Sequence, residues 1–179
     1  MSRKNLYPII LPAIGAAILA VLSQISLPIG PVPVTLQTFA VALIATLLKP
    51  REAVLSTLLY LLLGALGLPV FAGGSGGFQA LFGPTAGYLW GYIPFAIITS
   101  LLTDKESSYL KTFLANLLGD CCPFLLGVVS LHLVAGMTWS QALAVGVLPF
   151  IIPDLIKLIL VTLISKPLFQ VLKNEPYFK

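Results

Sequence analysis

Charge is what this sequence has least of. Only 9% of its 179 residues are Asp, Glu, Lys or Arg, against roughly 25% in a soluble domain, and none stands between Lys4 and Lys49. A soluble enzyme domain, a disordered regulator and a coiled coil all need a solvated polar surface, so this scarcity excludes them. Histidine occurs once and cysteine twice. Cys121 and Cys122 are adjacent in an apolar run, a spacing that suits neither a structural disulfide nor a zinc ligand set. The phosphate-loop pattern G-x-x-x-x-G-K-[ST] is absent, so ATP hydrolysis by this chain is not expected. Ser–His–Asp and H-E-x-x-H arrangements are also missing, as are paired carboxylates on one helix face, and the chain is read as no enzyme, with no metal site and no cofactor.

Hydrophobic residues make up 58% of the chain, and the mean hydropathy is +1.03. With 14 prolines and 15 glycines to break the apolar runs, this composition predicts an all-α integral membrane protein, a compact bundle forming a single domain over 1–179. A net charge of +4 would suggest nucleic acid in a soluble protein. No stretch pairs several Lys or Arg with interleaved aromatics, however, so no nucleic-acid partner is expected.

Proline and glycine divide the chain. Met1-Ser2-Arg3-Lys4 before an apolar run resembles a signal peptide, but the run continues to about Leu27 with no polar domain behind it, so an uncleaved first span over roughly 8–27 is expected. Pro28-Ile29-Gly30-Pro31-Val32-Pro33 cannot continue a helix, which starts a second span at roughly 34–48. A third runs from Ala53 to Leu68 and a fourth over about 85–102. Between them, 69–84 must be irregular backbone and must sit at an interface or line an enclosed cavity, because unsatisfied peptide groups are costly in hydrocarbon. The fifth span covers about Leu110 to Ala135; a short helical piece from Thr138 is interrupted by Pro149 and Pro153, and the last helix is expected to begin at Pro153 and reach about Leu172. The expected total is six transmembrane helices.

The basic residues give an orientation. Arg3, Lys4, Lys49, Arg51, Lys105, Lys111, Lys166, Lys173 and Lys179 all fall on one side of a six-span arrangement. By the positive-inside rule that side, with both termini, is cytoplasmic. The opposite Gly/Pro-rich loops, 28–33, 69–84 and 136–142, carry no Asp, Glu, Lys or Arg and are expected to be extracellular. The protein is therefore placed in the cell membrane as a multi-pass protein.

Three ionisable residues remain inside apolar sequence: Asp120, Asp154 and Lys157. Each is a functional candidate, since a charge at bilayer depth costs at least about 2.5 kcal/mol. Asp154 and Lys157 are three residues apart, on one helix face, with Asp154 suited to the positive end of the helix dipole. Lys157 and free first-turn N–H groups would together suit a carboxylate or phosphate; the plainer alternative is an ion pair that only fastens two helices. Asp120 lies about ten residues, or about 15 Å, into the fifth span, and is either a proton site or a hydrogen-bonded interhelical contact. His132 is three turns away and forms no local pair with it. Gly73, Gly74, Gly76 and Gly77 around Ser75 either let bare backbone approach a ligand or form a surface turn. In the first span, Ala13/Ala17 and Ala16/Ala20 form two small-xxx-small pairs, a helix-docking face.

With these residues in view, the sequence closely resembles the BioY family, the biotin-specific substrate-binding (S) components of energy-coupling-factor (ECF) transporters. The resemblance is carried by PIGPVPVTLQTF at 28–39, YLLLGALGLPVFAGGSGG at 60–77, GPTAGYL at 83–89 and PFIIPDLIK at 149–157. It implies a six-helix subunit that captures biotin from outside. That subunit would deliver the vitamin inward by docking on a transmembrane coupling protein and two cytoplasmic ATPases. By that resemblance Asp154, Lys157, Gln37, Phe71 and Tyr88 belong to the biotin site, with 73–77 and the first outer loop as wall and cover, and Ala13, Ala16, Ala17 and Ala20 contact the coupling protein. Biotin would offer ureido N–H groups to Asp154, a valerate carboxylate to Lys157 and an apolar body to Phe71, Tyr88 and Trp90. The chain departs from the family pattern at Asp120-Cys121-Cys122-Pro123, which is more polar and more kinked than expected. The alternative reading is a proton-coupled or solitary secondary biotin transporter that uses Asp120.

Overall fold

The structure, a computed structural model, describes residues 6–178; Arg3, Lys4 and Lys179 of the basic set lie outside the described residues. It is predominantly helical. The helices are α1 (Tyr7–Leu22), α2 (Gln37–Leu47), α3 (Pro50–Ala65), α4 (Ala86–Leu102), α5 (Tyr109–Leu133), α6 (Trp139–Gly146) and α7 (Ile151–Leu172). Two stretches, Tyr109–Leu133 and the run Trp139–Leu172 that contains α6 and α7, are long and apolar enough to cross a membrane.

Local chemistry explains the helix ends. Pro50 opens α3 in the first turn, where a missing N–H costs nothing. Ser108 caps α5 by accepting from the Lys111 amide at 3.1 Å. Thr138 and Gln141 form a reciprocal capping box on α6. The last helix starts at Ile151, directly after a 3-10 turn at Leu148–Phe150, and not at Pro153 as the sequence suggested. Pro149 is the second residue of the short turn, and Pro153 falls in the first turn of α7, where its ring breaks no intrahelical bond.

The bundle packs through small residues. On α4, Gly87 and Gly91 lie against the α5 backbone at Leu126–Gly127 and Cys122–Pro123, so closely that a Cβ at either glycine would overlap main-chain atoms. Gly119 and Gly127 return the contact by seating Phe95 and Tyr88 of α4. Gly15 of α1 accepts Ser56 of α3 in the same way. Without a hydrophobic drive between helices in lipid, such close backbone approach supplies the association. Outside, large apolar residues are exposed: Leu118 and Leu125 on α5, Ile152, Ile159 and Leu163 on α7. Buried polar residues lie within, among them Ser56, Thr57, Thr99, Asn116 and Asp120. An apolar exterior around a polar-containing interior is the pattern of a membrane protein.

One feature was not expected. Between α1 and α2 the chain forms a two-stranded antiparallel hairpin, β1 (Ser26–Leu27) with β2 (Val34–Thr35), paired Ser26 to Thr35 and Leu27 to Val34. The proline-rich segment 28–33 is its turn, and β2 leads directly into α2.

Candidate functional site

A cavity of about 680 Å³, counting its open mouth, lies between the hairpin, the 69–84 segment and helices α2, α4, α5 and α7. Its walls are mostly apolar and aromatic. Phe71, Tyr88, Phe124 and Phe150 line it, with the Tyr88 and Phe124 rings tilted against Phe150 at centroid distances of 6.3 and 6.1 Å. Tyr88 donates its hydroxyl to the Gly146 carbonyl at 2.7 Å, so its polar tip is held by α6 while its ring faces the cavity. Phe71, 2% exposed, packs edge-on to Tyr60 and lies over Gly64, where a Cβ would overlap its ring.

The polar end is built from α7, β2 and α2. Lys157 donates to the Thr35 carbonyl at 2.6 Å, to the Thr38 hydroxyl at 3.0 Å and to Asp154 Oδ1 at 2.5 Å. An ammonium has three N–H bonds, and all three are used. Thr38 in turn donates to the same Asp154 oxygen at 3.1 Å. Asp154 Oδ2 is buried and has no hydrogen-bond partner among the described residues. Beside this cluster, Gln37 Nε2 donates to the Tyr60 hydroxyl at 2.5 Å, while its Oε1 accepts from Thr35 at 2.9 Å and from Tyr92 at 3.3 Å. The one unengaged group of the ion-pair cluster is therefore an acceptor.

Asp154, Lys157, Gln37, Phe71, Tyr88 and Ser75 all line this cavity; Gly73, Gly74, Gly76 and Gly77 do not. The glycines serve the loop itself. Gly73, Gly74 and Gly77 have φ of 65°, 74° and 105°, in the left-handed region, and a Cβ on Gly76 would overlap the Leu68 carbonyl. This lets the chain close the Phe71–Ser75 bridge and present both side chains to the cavity. Trp90 is also outside: its indole donates to the Leu81 carbonyl at 2.9 Å and 41% of the residue is exposed. Asp120 borders a second cavity, which it shares with Asp154 and Phe124. His132 stacks on Trp139 at 4.0 Å and contacts the Met137 carbonyl through Nδ1, bracing the turn from α5 to α6. On α1, Ala16 is buried and Ala20 half-buried against the bundle, whereas Ala13 and Ala17 are exposed.

Thr35, Thr38, Tyr92, Phe124 and Phe150 are among the site residues that sequence reasoning did not single out. The available signal was the pair of threonines flanking Gln37 at the start of an otherwise apolar helix.

The pattern of the BioY family matches residues 1–174. The chain belongs to the BioY family. It is 43% identical over 180 residues to the biotin transporter BioY2 of Lactococcus lactis subsp. cremoris, covering 99% of both chains. It is 42% identical over 152 residues to the biotin transporter BioY of Thermotoga maritima, covering 85% of this chain and 89% of that one. Its fold matches the crystal structure of the S component for biotin from an ECF-type ABC transporter over 100% of both chains, with a TM-score of 0.87 at 26% identity. In this BioY-family chain, the ion pair, aromatic wall and hairpin line one pocket.

Proposed function

We propose that the chain is the biotin-binding subunit of a vitamin uptake transporter, and that the cavity beside Asp154 is its biotin site. The observation that carries this reading is the free, buried Oδ2 of Asp154 at the polar end of an aromatic-walled cavity. Biotin has a compact apolar bicycle and a ureido group with two N–H donors, which complement an aromatic wall and an unused carboxylate oxygen. Because Lys157 is fully engaged, the ureido group is assigned to Asp154, and Lys157 acts by holding that carboxylate in place. Gln37, Phe71, Tyr88 and Ser75 shape the remaining wall, and 73–77 fixes the loop that carries the Phe71 and Ser75 side chains.

The same reading places six helical spans in the cell membrane, counting α6 and α7 as one, with both termini cytoplasmic and the hairpin and 69–84 facing outward. Energy comes from a separate ECF module, a transmembrane coupling protein with two cytoplasmic ATPases, which the exposed Ala13 and Ala17 of α1 contact. The names of the relatives support a transport protein rather than an enzyme, with biotin as cargo and no cofactor. Calorimetry of the purified protein tests the central claim: biotin binds tightly with one site per chain. Absence of binding heat, together with no protection against thermal unfolding, refutes it.

A further inference from the structure

Asp120 has no place in the biotin cavity, yet it is only 3% exposed and its Oδ1 is buried without a hydrogen-bond partner among the described residues. It borders the second cavity, between α5 and α7, together with Asp154, which is also 3% exposed and whose Oδ2 is likewise unpartnered. Asp154 and Phe124 line both cavities, so Asp154 is common to the two walls. We propose that Asp120 and Asp154 together hold one proton, resident on Asp120 in the ligand-free protein, and that this proton must be present for the neighbouring cavity to bind an organic anion tightly.

The charge inventory supports this. Lys157 and Asp154 face Asp120 from α7, and Tyr88 and Tyr92 belong to the α4 face of the same interior. Cys121 and Cys122 adjoin it on α5. Neither α2, α6 nor the turn at 148–150 contains a titratable side chain. The only cation in this set is Lys157, and its three N–H bonds go to Thr35, Thr38 and Asp154, none to Asp120. One ammonium thus faces two carboxylates, and with both ionised the interior carries an uncompensated negative charge in a medium that solvates it poorly. A single proton taken from solvent removes that charge. It also supplies an O–H donor on a carboxyl whose Oδ1 is otherwise unpartnered, and a shared proton belongs to the pair rather than to either residue alone.

The consequence is linkage. The inference rests on the reading of the main cavity as a biotin site, and biotin enters as a carboxylate anion above about pH 5. An anion added beside an already negative pair binds more weakly than one added beside a neutral set. Biotin binding is then accompanied by proton uptake on the alkaline side of the pair's titration, and affinity falls there by up to about tenfold per pH unit.

The test is calorimetry of wild type and Asp120→Asn with biotin from about pH 6 to about pH 9, each pH measured in two buffers of different ionisation enthalpy. Wild type is expected to take up as much as one proton per biotin as the pH rises, whereas Asp120→Asn takes up none and keeps the affinity that wild type shows at the acid end. Wild type without proton uptake anywhere in the range, or Asp120→Asn with the same uptake as wild type, overturns the proposal. Infrared spectroscopy of the ligand-free protein reads the proton independently of biotin. A protonated-carboxyl C=O band that is present in wild type and lost in Asp120→Asn is expected, and a wild-type spectrum without such a band overturns the proposal. If biotin binds at no pH, it is the reading of the main cavity that fails, and the infrared result still decides whether the proton is there.

Discussion

Lys157 and Asp154 lie three residues apart on α7, joined by a 2.5 Å hydrogen bond, and only the acid has an atom to spare. The ammonium ties α7 to the Thr35 carbonyl of β2 and to Thr38 of α2. The carboxylate that lines the cavity is thereby held in a fixed position. The pair fastens elements, and on the proposed reading it also presents an acceptor to the ligand, two roles that can be separated experimentally.

Removing one member of a buried ion pair leaves the other charge uncompensated, at a cost of about 3–5 kcal/mol, while replacing both by apolar residues of similar size is often neutral or stabilising. Lys157→Met is therefore expected to lower the midpoint of thermal unfolding sharply, and Asp154→Leu/Lys157→Met to recover most of that loss. Neither variant should bind biotin with wild-type affinity. A Lys157→Met protein with unchanged thermal stability would show that the ammonium does not hold the hairpin to α7.

The assignment of the ureido end to Asp154 predicts an order among analogues. A hydrogen bond to a charged group is worth about 1.5–3 kcal/mol, so biotin alkylated on its ureido nitrogens should bind weaker by about 10- to 150-fold. Converting the valerate carboxylate to a neutral amide should cost much less, because Lys157 has no free N–H for it. Competition binding with both analogues decides, and the reverse order would move the valerate to Lys157.

The extent of the helices was readable because charge and proline punctuate the apolar runs. The α5 start at Tyr109, behind the Ser108 N-cap, falls one residue before the expected Leu110, whereas α3 starts at Pro50, three residues before the expected Ala53, because the polar stretch 50–52 forms the first helical turn rather than a loop. The last helix starts two residues before the expected Pro153, because proline fits the first turn as well at its third position as at its first. The hairpin at 26–35 went unseen, since two-residue strands carry no period. At the site, Asp154 and Lys157 stood out as charges in apolar sequence. That Lys157 is satisfied by Thr35 and Thr38 depends on how β2 and α2 meet α7, which no spacing along one helix encodes. The glycine cluster was ambiguous for a related reason: left-handed φ at Gly73, Gly74 and Gly77 and ligand contact call for the same residue.

Gly87 and Gly91 form a G-x-x-x-G pair on α4 whose role lies in packing against α5. A side chain at either position must push main-chain atoms, which have no rotamer with which to yield. Overpacking costs typically about 1–3 kcal/mol, and Gly91→Leu is expected at or above the top of that range. Its unfolding in detergent should begin well below that of wild type, and its biotin affinity should fall as Pro123 and Phe124, which line the cavity, are displaced. A Gly91→Leu variant with wild-type melting behaviour would contradict the close α4–α5 approach.

The alanines of α1 separate folding from transport. Ala16 is 1% exposed inside the bundle, so Ala16→Leu should destabilise the isolated subunit by about 1–3 kcal/mol. Ala13 and Ala17 are exposed on the outer side of α1. Ala13→Leu/Ala17→Leu should therefore leave both thermal stability and biotin affinity of the purified subunit at wild-type values. If this face docks on the coupling protein, the same pair of leucines keeps the helices apart, and ATP-dependent biotin uptake by vesicles containing the full transporter falls severalfold or more. Uptake that continues unchanged with bulky residues at both positions would place the coupling surface elsewhere. Uptake that persists after ATP depletion but collapses with the proton gradient would assign the driving force to the Asp120 pair instead of a separate module.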